Sequence, residues 1–438
     1  MKLCFVNQPW TIATPPVGSD STGIWSYQIG SRLTRRCQVT YYGCVDNSNS
    51  AKNSRHNFDL LSRIEYRAIS PSIDKLLKIP RKIATKLSSN SKLPYFGSAW
   101  FNFGYGWQIA KDCQRENYDL IHIHNFSQFV PIIRASNTSA KIILHLHCEW
   151  VNRLDPKAIA PRLDKADLVI SCSDYVTDKI KARFPEYASR CATVNNGVDA
   201  DYFVPSDRDP LQHDKTTAPQ ILFVGRISPE KGIHDLIDAF IKIAEKYPAA
   251  ELTIAGPYIV VEREFLFDLQ HEPEVQALEP FYSIDYLEYI KSKIPAHLTS
   301  QVIFTGSLPQ PELLPYYQKA DVVINPSLSE AFGMSLVEAM ATQTPVVATD
   351  IGGMPEIVDE GVTGSIVEPG NPTALADATV AIIDNPQLAR AMGVAGRRKV
   401  LQRYCWSKIA ESLVNRYADI GVKLESDDTQ KTVARSLS

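Results

Sequence analysis

DVVINPSLSEAFGMSLVEAMATQTPVVATD, residues 321–350, decides the fold. It opens on an apolar run, DVVINPS, passes through a short loop and reads as a helix over residues 333–341; a second run, PVVATD, begins at Pro345. Runs that are apolar throughout, rather than at every second position, predict strands buried on both faces. Strand, helix and strand in that order predict a parallel βαβ unit with a right-handed crossover.

The same alternation extends over nearly the whole chain. Strand-like runs begin with KLCFVN at Lys2, QVTYYG at Gln38, DLIHIH at Asp119, KIILHLH at Lys141, DLVISCS at Asp167 and ATVNNG at Ala192. A second set comprises ILFVGR at Ile221, ELTIAG at Glu251, QVIFTG at Gln301, DVVINPS at Asp321, PVVATD at Pro345 and GSIVEP at Gly364. Helical patterns at 21–35, 234–246, 311–319, 333–341 and 373–383 lie among them. Two such sets do not fit one sheet. The polar, proline-bearing stretch PSDRDPLQHDKTTAPQ (205–220) separates them and has the composition of a linker. The expected fold is α/β with two doubly wound domains: residues 1–204, a linker at 205–218, and residues 219–403. A C-terminal helix at 404–422 comes after the second sheet is complete and is suited to cross back to the first domain; the polar tail 423–438 is expected to be disordered. Residues 257–300 interrupt the regular spacing, and a segment that long between strands carries its own structure or a function.

Composition narrows the function classes. The 438 residues are 44% apolar and 22% charged, with a net charge of -3, so nothing globally basic argues for nucleic acid. Eight cysteines occur without a C-x-x-C pair and are expected to be reduced thiols of a cytoplasmic protein. The first residues, MKLCFVNQPW, lack the apolar core of a signal peptide, and no run approaches the ~18–20 residues that span a bilayer.

Two stretches carry chemistry. In SEAFGMSLVEAMA (329–341) a loop feeds a helix whose first N–H groups and positive dipole end suit a phosphate, and Gly333 lets a ligand approach the backbone. Glu330 and Glu338, ~12 Å apart if helical throughout, are badly placed as the facing acid and base of a hydrolase. They suit two sets of sugar hydroxyls, or else solvent. In GRISPEKGIHDLIDAF (225–240), Arg226 follows a strand directly and Lys231 opens the next helix. The carboxyl ends of parallel strands face the ligand crevice, so these two cations suit a diphosphate, in place of a divalent ion held by Asp-x-Asp. An Asp-x-Asp at Asp207 and Asp209 sits in the linker with no strand before it and reads as incidental.

These motifs, with TGIWSYQIGSRL, DLIHIHN, LHLH, ISCSDYV, NNGVDADYF, VIFTGSLP, IGGMPEIV and GVTGSIVEPGN, resemble those of glycosyltransferase family 4 over roughly residues 1–420. Members are retaining, metal-independent nucleotide-sugar transferases with two Rossmann-like domains facing across a cleft, the GT-B architecture. The resemblance implies that Arg226 and Lys231 bind the diphosphate, that Glu338 binds ribose hydroxyls, and that Glu330 contacts the transferred sugar. It implies that the backbone at Phe332, Gly333 and Met334 holds sugar hydroxyls and phosphate. It places His147 on the acceptor side and makes Gly23, in the loop after the first strand, the point where donor and acceptor approach the first domain. It implies a hexosyl unit taken from a UDP- or GDP-sugar, a glycan, glycolipid or small-molecule acceptor, and no metal or other cofactor. Two departures stand out: Thr22 precedes Gly23 where the family has paired glycines, and Pro257 with the long insertion follows Ala255-Gly256 in place of a glycine-rich turn. An epimerase or a phosphorylase on the same architecture would need another acid/base set or a pyridoxal-phosphate lysine, for which no motif is found. A silent sugar-nucleotide-binding protein is disfavoured by the intact Arg226, Lys231, Glu330 and Glu338.

Two features stay open. His122 and His124 share one face of their strand, as do His145 and His147; each pair offers two metal ligands, so buried or site-lining histidines are the favoured reading. The stretch IDKLLKIPRKIATKLSSNSK (73–92) carries six Lys/Arg against one Asp and suits either a solvated face or peripheral contact with an anionic membrane surface.

Overall fold

The computed structural model of the protein describes residues 1–13, 20–45, 56–59, 63–75, 94–206, 218–267 and 272–425. Most of the basic stretch 73–92, the Asp207/Asp209 pair with most of the 205–218 segment, and nearly all of the 423–438 tail lie outside these residues.

Two sheets form. The first has the order β3-β4-β2-β1-β5-β6-β7-β8. Its strands are β1 (Lys2–Val6), β2 (Gln38–Cys44), β3 (His56–Asp59), β4 (Ile64–Ile69), β5 (Leu120–His124), β6 (Lys141–Leu146), β7 (Leu168–Ser171) and β8 (Cys191–Thr193). The second has the order β11-β10-β9-β12-β13-β14. Its strands are β9 (Gln220–Val224), β10 (Glu251–Ala255), β11 (Val302–Gly306), β12 (Val322–Asn325), β13 (Val346–Thr349) and β14 (Gly364–Val367). Both core strands β1 and β12 are buried along nearly their whole length, as double-sided coverage by helices requires. All pairings are parallel except β3 with β4, which is antiparallel. The sequence reading omits these two strands.

Contacts divide the chain into Met1–Asn195 with Ser407–Ser438, and Asn196–Trp406. The passage from one unit to the other thus comes before the polar segment 205–218. Residues 196–203 belong to the second unit because Arg397 Nη1 donates to the Phe203 carbonyl at 3.0 Å and Val198 N to the Tyr404 carbonyl at 2.8 Å. The helix Trp406–Asp419, which belongs to the first unit from Ser407 onward, buries Leu413 and Tyr417.

The insertion carries short helices at Arg263–Phe267, Pro273–Gln276 and Tyr286–Lys293. Its Tyr286 and Ile290 join the main core of the second unit, while Leu266, Phe267, Val275 and Leu278 pack with Leu328 in a small separate core. It therefore braces the loop that leads to Glu330.

Candidate functional site

Each sheet reverses its order once, and ligands bind doubly wound sheets at the carboxyl ends of the strands flanking that point. In the second sheet the reversal lies at the neighbouring strands β9 and β12, paired through Ile221 with Val322. Arg226 stands two residues past β9, and Lys231 ends the 3-10 turn Pro229–Lys231. Glu330 stands in the loop past β12, before the helix Met334–Ala341.

Adjacency of the two loops brings Lys231 and Glu330 together: Nζ lies 2.7 Å from Oε2. Burial pushes the Glu330 carboxyl up, but the Lys231 ammonium, the Phe332 N–H and Arg226 outweigh it and hold the carboxyl below its ordinary range. Arg226 Nη2 lies 3.2 Å from Oε1 of the buried Glu230, whose other oxygen accepts from Ser228 Oγ. The two cations that the sequence assigns to one anion are thus each paired with a carboxylate here.

Backbone geometry fixes this pairing. Gly232 has φ 65°, and an added Cβ would run into the Pro326 carbonyl, so the two loops touch only because this residue has no side chain. Gly352, with φ 63°, stands in the same way against the carbonyl of Glu330. Sequence reading misses both residues; the dipeptides Lys231-Gly232 and Gly352-Gly353 are the signals that mark them. Gly333 caps the helix Met334–Ala341 at φ 110°. Phe332 N donates to Glu330 Oε1 at 3.4 Å, and the Phe332 side chain is buried against Tyr404. Met334 begins the helix, where the first N–H groups lack an intrahelical carbonyl and concentrate positive potential.

Glu338 lies one turn into that helix, so the helical spacing assumed from Glu330 does not apply. Its side chain is buried, and Oε1 and Oε2 accept from Gln310 Nε2 and Tyr317 Oη, both at 2.6 Å. Burial nevertheless outweighs the two hydrogen bonds and raises its pKa. The two glutamates therefore occupy opposite electrostatic environments. Gln310 and Tyr317 carry no motif of their own and are not found by sequence reading.

In the first sheet the reversal lies around β1, which pairs with β2 and β5. Gly23 does not lie in the loop after β1. It sits in the first turn of the helix Ser21–Leu33, and its N–H donates to the capping Asp20 Oδ1 at 2.9 Å. Its backbone donor is used by the cap, because Asp20 meets the need of the helix N-terminus for an acceptor. Thr22 is buried beside it and accepts from Gln8 Nε2 at 3.3 Å.

His147, expected to end the strand KIILHLH, stands one residue past β6, which ends at Leu146. Its N–H donates to Asn125 Oδ1 at 2.7 Å, and Asn125 N donates to the His145 carbonyl at 2.8 Å. Asn125 holds φ 58°, a left-handed conformation that asparagine tolerates better than most residues. Strand register places His124 opposite His145, so the two histidine pairs form one cluster. His124 Nδ1 lies 2.9 Å from His147 Nε2, and His122 Nε2 lies 3.1 Å from His145 Nδ1. Tyr417 Oη lies 2.7 Å from His122 Nδ1, and the Trp25 ring packs edge-on to His145 at 4.6 Å.

This corrects the view of each pair as only two metal ligands: nitrogens of His122, His124 and His145 lie within 4.8 Å of one another. Both nitrogens of His124 are engaged, by Ser26 and by His147, so a metal there would have to displace a hydrogen bond. Burial, with the neighbouring imidazoles second, pushes the pKa of all three far down, so they are neutral at neutral pH.

Comparison with known proteins adds to this geometry. The family described as Glycosyl transferases group 1 matches residues 206–399, and Glycosyltransferase Family 4 matches residues 27–202. Glycogen synthase of Mycobacterium tuberculosis is 29% identical over 253 residues, 58% of this chain and 54% of that protein, so the chain spans about half the length of that relative. Lipopolysaccharide 1,2-N-acetylglucosaminetransferase of Salmonella typhimurium is 26% identical over 420 residues, 94% of this chain and 96% of its own. Among solved structures, sucrose-phosphate synthase from Thermosynechococcus elongatus has a TM-score of 0.68 at 19% identity, covering 96% of this chain and 98% of its own. Anabaena HepE, in complex with UDP and glucose, has a TM-score of 0.66 at 20% identity, covering 95% and 99%. The fold is that of the GT-B glycosyltransferases.

Proposed function

The chain belongs to the glycosyltransferases of group 1 and family 4, and on that premise we propose that it moves a hexosyl unit from a nucleotide-sugar donor, a UDP- or GDP-sugar, onto a glycan or lipid-linked acceptor with retention at the anomeric carbon. The observation that carries this reading is the convergence of Arg226, Lys231 and Glu330 at the carboxyl ends of β9 and β12, beside the N-terminus of the helix Met334–Ala341. The complex of the similarly folded HepE with UDP and glucose supports the donor class. The nearly full-length match to a lipopolysaccharide glycosyltransferase supports the acceptor class.

Transfer forms a bond from the acceptor hydroxyl oxygen to the anomeric carbon and breaks that carbon's bond to the diphosphate, which gains negative charge. Arg226, Lys231 and the helix N-terminus meet that charge, and preorganised contacts of this kind contribute the largest part of such catalysis. Glu330 exchanges part of its hold on Lys231 for hydroxyls of the transferred sugar. Glu338 takes ribose hydroxyls, and the backbone at Phe332, Gly333 and Met334 the remaining sugar and phosphate oxygens. The acceptor proton passes to the leaving phosphate on the same face, which accounts for retention without a covalent intermediate. Two cations from the chain stand in for a divalent ion, so the reaction is metal-independent and needs no cofactor.

A panel of nucleotide sugars, assayed for nucleoside diphosphate release with and without EDTA, tests this reading. One donor turned over in the presence of chelator is the expected result. Loss of transfer with EDTA and recovery with Mg²⁺ or Mn²⁺ overturns the metal-free mechanism, and inversion of the product anomer overturns retention.

A further inference from the structure

Of the two cations beside the helix Met334–Ala341, Arg226 is the more open: its side chain is 43% exposed, against 15% for Lys231. A long side chain so placed ordinarily samples many rotamers, and a ligand that fixes it loses part of its binding energy in doing so. One edge of this guanidinium is already fixed. Arg226 Nη2 donates to Glu230 Oε1 at 3.2 Å, and Arg226 has no other side-chain partner among the described residues. The donors on Nε and Nη1 are therefore open to a ligand.

The carboxylate that holds this edge is itself held. Glu230 is the middle residue of the 3-10 turn Pro229–Lys231 and is 4% exposed. Its Oε2 accepts from Ser228 Oγ, which accepts in turn from Val261 N at 3.5 Å, near the start of the insertion. Its backbone carbonyl accepts from Leu328 N at 2.9 Å and from Ser329 N at 3.3 Å, in the loop that carries Glu330. Ile227 N, just past Arg226, donates to the Pro257 carbonyl at 2.9 Å. Glu230 thus joins the two loops of the site to the insertion. A carboxylate paired with Arg226 cancels much of its long-range pull on an anion, so what Glu230 adds is aim rather than charge.

We propose that Glu230 is a positioning residue: by holding Nη2 it sets the plane of the Arg226 guanidinium, so that Nε and Nη1 face the diphosphate before the donor arrives. This rests on the reading above that Arg226 binds the diphosphate. Through Val261 and Ser228 it gives the insertion a part in setting that geometry.

The test is a double-mutant cycle on the full chain, read by calorimetric titration with UDP, GDP and inorganic pyrophosphate and by donor turnover. Glu230→Leu, of similar volume but without an acceptor, is expected to weaken nucleoside diphosphate binding and lower kcat/KM for donor about tenfold, the scale of one hydrogen bond to a charged group. Glu230→Gln, which keeps an oxygen for Nη2, is expected to restore most of both. In Arg226→Ala, Glu230→Leu is expected to cost nothing further, because its effect passes through the missing guanidinium. Equal losses with and without Arg226 mark a merely structural role and overturn the proposal, as does wild-type affinity in folded Glu230→Leu. If Glu230→Leu fails to fold, Glu230→Asp, which keeps the charge but draws it back by one methylene, takes its place; a smaller loss of the same kind is expected, and unchanged affinity overturns the proposal. Wild type that binds a diphosphate but releases none from any nucleotide sugar overturns the transferase reading and leaves the cycle to decide the role of Glu230. Wild type that binds none of the three probes overturns the assignment of Arg226 to the diphosphate, and the proposal with it.

Discussion

Lys231 Nζ stands 2.7 Å from Glu330 Oε2, although 98 residues separate the two in the chain. Glu330 Oε1 accepts from Phe332 N as well, so the pair is tied into the backbone at the start of the helix Met334–Ala341. Glu330 is partly buried, and a largely desolvated carboxylate that loses its counter-charge is costly. Lys231→Ala should therefore destabilise the second unit and cut turnover at least ~10²-fold, the scale of losing one preorganised electrostatic contact. In a double-mutant cycle with Glu330→Gln, the double variant should lose less stability than the sum of the singles. The pH sign follows from the lowered carboxyl pKa of Glu330: the pair's contribution is present above the ordinary glutamate value and is lost as pH falls through the depressed one. Thermal melts at neutral and acidic pH should show the wild-type advantage over Lys231→Ala shrinking only on the acid side.

Glu338 and Glu330 should separate in function. Glu338→Ala is expected to weaken binding of free nucleoside diphosphate, and Glu330→Ala to leave that affinity nearly unchanged while lowering turnover. Tyr317→Phe removes the donor to Glu338 Oε2 and should resemble a milder Glu338→Ala. Calorimetric titration with the free nucleotide checks all three; equal affinity losses in the two alanine variants would reject the division.

Gly352→Ala places a Cβ against the Glu330 carbonyl at a positive φ. Strain of that kind costs about 1–3 kcal/mol. The variant should melt at lower temperature and release diphosphate more slowly, because relief of the clash moves Glu330 away from Lys231. Gly361→Ala, also at positive φ but with open space around the added Cβ, is the control: it should lose stability without a comparable loss of turnover.

Lys78, Arg81, Lys82 and Lys86 of the basic stretch 73–92 lie outside the described residues, and the expectation for them rests on sequence. No helix among the described residues is long and apolar enough to cross a membrane. Each basic residue near an anionic surface contributes about 1 kcal/mol, screened by salt. Sedimentation with anionic vesicles at low salt, little with neutral ones, and loss on replacing Lys78, Arg81, Lys82 and Lys86 by glutamate are the expected outcomes. Failure of the wild type to sediment would favour a soluble acceptor.

Twelve of the fourteen described strands are legible as mainly apolar runs, because a strand covered on both faces is mostly apolar. The two omitted, β3 and β4, lie toward one edge, and β4 reads IEYRAI. Its Arg67 is paired with Glu65 of the same strand at 2.7 Å, but its burial also draws on Asp112 and Glu116, at 2.7 and 2.9 Å, from a helix far along the chain. No local pattern announces a charge neutralised at that distance.

The sequence by itself determined the strand and helix alternation, the two-sheet division and the residue types near each strand end, since these follow from hydrophobic periodicity and local backbone chemistry. Tertiary structure alone decided which strand ends are neighbours. The pairing of β9 with β12 turns two separate motifs into the Lys231–Glu330 ion pair, and that of β5 with β6 turns two histidine pairs into one cluster. It also withdrew the Gly23 N–H into a helix cap and closed Glu338 under Tyr317 and Gln310. The physical reason is one of range: periodicity reports which face of an element is buried, whereas hydrogen-bond direction, tautomer and carboxylate charge depend on partners supplied by strand order across the sheet.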